Sequence, residues 1–154
     1  MQEKEIKEKL QYEIGGAYAQ NNICVSLEYD SRELINTLKK FNLFQNKSGK
    51  EIPYHFENFT LQKAYVRGMI DGDGHIQENF IKYVGSLESC EYIKKFFGKW
   101  VNYDPNCKYI YKQGAIYSFE LRRKELLSII ENLYQDSKIY LDRKYTIAVS
   151  KSRN

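Results

Sequence analysis

The chain has 154 residues, with 24 Lys and Arg against 20 Asp and Glu, a formal charge of +4. That length suits one domain or a compact pair of subdomains with a core of their own, and the charge permits a polyanionic partner without requiring one. Three cysteines (Cys24, Cys90, Cys107) without a CxxC pair argue against a disulfide framework or a zinc site and for a reducing, cytoplasmic setting. No apolar run approaches the roughly 20 residues that span a bilayer, and MQEKEIKEKL lacks the apolar centre of a signal peptide, so neither a membrane protein nor an exported one is expected.

The first clear element is ICVSLEY, where Val25, Leu27 and Tyr29 alternate with Cys24, Ser26 and Glu28 as in a strand buried on one side. SRELINTLKKFNLF follows with Leu34, Ile35, Leu38 and Phe41 on one helical stripe and Asp30 or Ser31 as N-cap. QNKSGKEIPYHFEN is a loop, and TLQKAYVRGMID a helix with Thr60 as its N-cap. A short strand pair, HIQ and FIKYVGS, turns near Glu78 and Asn79. LESCEYIKKFFGKWV is an amphipathic helix that buries Tyr92, Ile93, Phe96, Phe97 and Trp100. CKYIYKQGAIYSFEL reads as a hairpin turning at Gln113 and Gly114. RRKELLSIIENLY is a helix with Leu126, Leu127, Ile130 and Leu133 inward, and IYLDRKYTIAV a last helix through Leu141, Tyr145 and Ala148.

A shift of 92 residues lays Ser26, Leu27 and Glu28 on Ser118, Phe119 and Glu120, and the stripe Leu34, Ile35, Leu38, Phe41 on Leu126, Leu127, Ile130, Leu133. This is a partial internal duplication of a strand and a helix. Residues 59–154 then make a complete α, β, β, α, β, β, α unit with one further helix. Residues 1–58 supply only a strand, strand and helix with the loop, the back half of such a unit. The fold class is α+β, an antiparallel sheet with helices on one face.

The end of the central helix, YVRGMIDGDGHI, carries Asp71 and Asp73 where the helix dipole is negative, which costs a few tenths of a kcal/mol or more per charge. An EF-hand loop does not fit, because His75 and Ile76 stand where that loop requires Asp or Asn and then Gly. A divalent cation met by Asp73 and nearby carbonyls would offset the cost, the glycines letting the chain leave the helix freely.

In this context VRGMIDGDG resembles the motif of the LAGLIDADG homing endonucleases, more closely the second motif of the two-repeat, intein-type members, where arginine often stands as Arg67 does here. The likeness covers nearly the whole chain. It implies an αββαββα unit and a motif helix that packs against a second one through small residues, Gly68 among them. It implies a metal-dependent DNA endonuclease with Asp73 as catalytic acid and Mg²⁺ (or Mn²⁺) ligand, the Gly72 carbonyl as a further ligand, and Asp71 as a supporting residue. GKEIP places Lys50 where such proteins carry a catalytic lysine before an Ile-Pro pair. Asp142 falls at the matching place of the second repeat, which leaves the roles of Arg143 and Lys144 open. Double-stranded DNA would lie on the free sheet face and hairpin tips, with Lys47, Lys82, Lys108, Lys112, Gln113, Arg122 and Arg123 as contacts. One motif implies a homodimer or a second chain with another such helix. The short strand pair and missing front half leave a rival class, a non-catalytic nucleic-acid binder on the same fold, such as an RNA maturase or a DNA-binding regulator.

Overall fold

The structure, a computed structural model, describes residues 7–13, 22–28, 31–44, 49–77, 79–122 and 126–149. Lys47, Arg123 and the candidate cap Asp30 lie outside them. The chain divides into two compact units, Met1–Leu38 and Lys39–Asn154. By packing, the segment after Leu38 thus belongs with the second unit, whereas the sequence repeat places its boundary after residue 58.

In the first unit β1 (Lys7–Glu13) and β2 (Asn22–Glu28) form an antiparallel hairpin in the register Lys7↔Glu28 to Glu13↔Asn22. Helix α1 (Arg32–Lys40) starts at Ser31, whose Oγ accepts from the Leu34 N–H at 3.2 Å. The apolar stripe of α1 forms as the spacing predicts but stays open: Leu34, Ile35 and Leu38 are 41%, 46% and 37% exposed.

The second unit runs α2 (Phe59–Asp73), β3 (Gly74–Ile76), β4 (Phe80–Gly85), α3 (Leu87–Phe97), β5 (Ile110–Gln113), β6 (Ile116–Arg122), α4 (Leu126–Tyr134) and α5 (Asp142–Val149). This is the element order read from the sequence. The sheet is antiparallel throughout, with strand order β3-β4-β6-β5. β6 and α4 have the same lengths as β2 and α1, seven and nine residues.

Alternation divides the sheet cleanly. Ile76, Ile81, Tyr83, Phe119 and Leu121 point to one face and are buried with Val66 and Ile70 of α2, Ile93, Phe96 and Phe97 of α3, and Ile129, Ile130 and Leu133 of α4. The helices therefore cover one face. The cross-strand pairs His75↔Lys82, Lys82↔Glu120 and Phe80↔Arg122 lie on the other.

Local details differ from the sequence reading. The N-cap of α2 is Asn58, whose Oδ1 accepts from the Leu61 N–H at 3.1 Å, so Thr60 lies inside the helix. Helix α2 continues to Asp73, past Gly72. The hairpin turns one residue later than expected, at Gly114 and Ala115, with Gly114 at φ 63°, the positive φ a two-residue hairpin loop requires. Leu141 precedes α5, accepting from the Lys144 and Tyr145 N–H groups.

Cys90 is fully buried in this core, and burial pushes its thiol up from 9.0 to about 11. Burial pushes the hydroxyls of Tyr83 and Tyr134 up as well. An acid whose folded pKa lies above its unfolded one gives its full contribution to stability below the unfolded pKa and loses it as pH rises through the folded one. Stability should thus fall between about pH 9 and 11, by on the order of 2–3 kcal/mol from Cys90 alone. Urea unfolding across that range checks this; Cys90→Ala should show a shallower decline, and an unchanged slope would exclude Cys90 as a contributor.

Candidate functional site

The site grows out of the last turn of α2. Residues two apart on a helix point about 200° apart, so Asp71 and Asp73 face nearly opposite ways. Asp71 turns inward and is half-buried: Oδ1 accepts from the Tyr134 hydroxyl at 2.6 Å and Oδ2 from the Leu141 N–H at 3.1 Å. Burial first, then the hydrogen bond to Asp71 and its charge, raises the Tyr134 pKa, so this phenol remains a donor. Asp73 is exposed.

The helix end is closed by a residue of α5. Lys144 is 4% exposed and its ammonium donates to the carbonyl oxygens of Ile70 and Asp71, both at 2.7 Å, and to that of Gly74. A cation bonded to carbonyls at the negative end of a helix offsets what the two carboxylates cost. Gly74 turns the chain from α2 into β3. Its N–H bonds to the Ile70 carbonyl, and a Cβ there would stand 2.5 Å from that oxygen. Gly74 is therefore the glycine that the exit from the helix requires; a Cβ at Gly72 would meet nothing within 4 Å.

Asp73, Gly72, Gly68 and Met69 line one cavity of about 370 Å³ together with Glu51 and Tyr83. The GKEIP segment is fixed beside it by Glu51: Oε1 accepts from the Gly49 N–H at 3.0 Å and Oε2 from the N–H of Ser86, the N-cap of α3, at 2.9 Å. Lys50 is exposed and is not among the cavity's lining residues. The raised pKa of Tyr83 comes first from burial, with the charges of Glu51 and Asp73 adding to it, so both carboxylates act on this hydroxyl. Glu51 carried no mark in the sequence that set it apart from an ordinary surface charge, and Lys144 stood out only as a basic residue near the position that the 92-residue shift matches to Lys50.

Gly68 lies on the exposed side of α2, and a Cβ placed on it would meet nothing within 4 Å. Leu61, Ala64 and Gly72 are exposed too, and the spacing puts them on the same side. Arg67 points elsewhere: Nη1 donates to the Leu133 carbonyl at 3.1 Å, while Lys63 donates to the Gln135 carbonyl at 2.9 Å. These two residues of α2 thus hold the carbonyl end of α4.

The candidate nucleic-acid contacts are spread out. Lys82 pairs with Glu120 at 3.0 Å, and Arg122, 81% exposed in its side chain, lies 3.8 Å from the other oxygen of Glu120. Lys112 and Gln113 are exposed at the end of β5, and Lys108 lies over the Tyr111 ring, 5.5 Å from its centroid. Among the described residues no group of three or more His, Cys, Asp or Glu could hold a metal ion; Asp73 and Glu51 are the carboxylates that line the cavity beside Gly72. No helix among them is long and apolar enough to cross a membrane.

Comparison with protein-family models, curated proteins and solved structures finds no match to this chain.

The unequal tasks of the two carboxylates should appear in stability. Asp71→Ala leaves the Tyr134 hydroxyl and the Leu141 N–H without their acceptor and should cost about 2–3 kcal/mol. Asp73→Asn, at an exposed helix end, should stay within about 0.5 kcal/mol of the parent. Denaturant midpoints of the two variants check the contrast; equal losses would contradict it.

Proposed function

We propose that this chain is a LAGLIDADG-type DNA endonuclease, one that hydrolyses phosphodiester bonds with a divalent metal such as Mg²⁺ or Mn²⁺, in homing of the intron or intein kind. It acts as a homodimer or beside a second chain that carries another such helix. One observation carries the reading: α2 ends on an outward carboxylate, Asp73, while its neighbour Asp71 is held inward and the Gly68 face above stays open. The exposed small residues suit close approach of a second helix, whose own terminal carboxylate would complete a two-strand site.

In this reading Asp73 and the Gly72 carbonyl hold the metal. Bound there, the ion would supply Lewis-acid polarisation of the scissile phosphate and activation of a water. This chain's residues do the rest. Lys144 and Asp71 fix the helix end on which Asp73 stands, and Lys50, exposed on the loop that Glu51 anchors, is the candidate for stabilising charge on the leaving oxygen. Lys82, Arg122, Lys108, Lys112 and Gln113 meet the DNA backbone and base edges, with Lys47 and Arg123 beyond the described residues.

A non-catalytic nucleic-acid binder on the same fold is the second reading, and one observation favours it: β3 has only three residues, a short ribbon for reading a groove with the specificity that homing needs.

With DNA that carries the gene's own flanking sequence, Mg²⁺ should support nicking or cleavage. Asp73→Asn should lower it by on the order of a hundred- to a thousandfold while binding survives. Binding by the parent protein without metal-dependent cutting would leave the second reading in place, and a strict monomer that cuts both strands would contradict the requirement for a second helix.

A further inference from the structure

α4, the turn after it and the start of α5 enclose a second cavity, of about 550 Å³. Tyr134, Tyr140 and Tyr145 give it aromatic walls, with ring centroids 4.5 to 6.1 Å apart. Glu131 and Asp136 supply charge, and among the described residues no Lys, Arg or His lines it, in a chain with 24 Lys and Arg. Two basic groups lie behind this wall and are engaged elsewhere: Lys63 bonds the Gln135 carbonyl and lies in the field of Asp136, and Arg67, whose charge is felt by Tyr134, bonds the Leu133 carbonyl. Glu131 has no ion-pair partner among the described residues.

The walls are fixed before anything binds. The Tyr134 hydroxyl is tied to Asp71, which holds that ring in place, and Tyr140 and Tyr145 pack on each other and on Tyr134. Electron-rich ring faces beside a carboxylate select a cation with an apolar body, and a planar guanidinium stacks on such rings better than an ammonium does. Leu127, in the cavity's lining, is 42% exposed, and Ile139, next to Tyr140 in the chain, is 84% exposed, apolar surface that a lone small cation would leave uncovered and that residues flanking an inserted side chain would cover.

We propose that this cavity is a docking site for a protein partner that inserts an arginine side chain, stacked on the tyrosines and paired with Glu131. The proposal does not rest on the nuclease reading, since neither Asp73 nor the sheet face takes part in it.

Calorimetric titration of the full chain with two short peptides tests it, identical in their apolar flanks and differing only in arginine against neutral, nearly isosteric citrulline. The arginine peptide should bind at least about tenfold more tightly. Tyr140→Leu and Glu131→Gln should each weaken it by about fivefold or more and leave the citrulline peptide unmoved. Glu131 is exposed, so that variant keeps the test valid should Tyr140→Leu prove unstable. Equal binding of the two peptides, or an arginine peptide indifferent to Glu131→Gln, would overturn the proposal. Free arginine binding as tightly as the peptide would overturn the choice of a protein partner.

Discussion

The arrangement of the second unit depends on how one lysine meets the end of one helix. The last turn of α2 combines open carbonyls, the negative end of the dipole and two carboxylates, and Lys144 reaches it from α5 with three donors for three carbonyl oxygens. A buried ammonium is costly unless every donor is engaged. Here three donors meet three carbonyl oxygens, so the same bonds that make the lysine tolerable fix α5 against α2. Tyr134 and the Leu141 N–H add α4 and the connecting segment through Asp71. The helix terminus is thereby joined to both C-terminal helices, and Asp73 projects from a clamped end.

That clamp separates the two carboxylates into different environments. The pair reads as a symmetrical DGDG, but a helix carried through Asp73 turns them to opposite sides, one into hydrogen bonds and one toward a cavity it shares with Glu51 and Tyr83. The helical turn imposes the difference, and the neighbours on each side decide which carboxylate stays available for a ligand.

Much of this architecture was legible in the sequence because it is periodic. The stripe of Ile93, Phe96 and Phe97 and that of Leu126, Ile130 and Leu133 set the inward faces of α3 and α4, and both sets are buried. Leu127, grouped with the inward set, is 42% exposed, which shows how loosely a stripe fixes its own edge. The cap of α2 was misplaced because Asn58 and Thr60 are both capping residues two positions apart, and only the side-chain bond to the Leu61 N–H separates them. The targets of Lys144 and Tyr134 were not legible, although the 92-residue repeat brought Lys144 forward with Arg143. Each acts on a helix end more than 60 residues earlier in the chain, and a lysine beside an arginine or a tyrosine closing an apolar stripe gives no local sign of its target. Glu51 was hidden in the same way, beside Lys50: its partners, the Gly49 and Ser86 N–H groups, include one 35 residues away.

The outer sheet face limits how strongly electrostatics alone could hold a polyanion. Register sets Lys82 opposite Glu120, and Arg122 approaches the same carboxylate, so two cations share one anion and the local excess is a single charge. Nonspecific affinity for nucleic acid rises with the number of phosphates neutralised, and one net charge on the middle strands adds little. On the endonuclease reading, binding then has to come from the hairpin end, where Lys112 and Gln113 are exposed, and from doubling the surface through a second protomer. On that reading the open face of α2 and the weak charge of the sheet call for the same thing. A single copy offers one outward carboxylate and a thin cationic surface, and an assembly of two would supply both the second carboxylate and the contact area that one chain lacks.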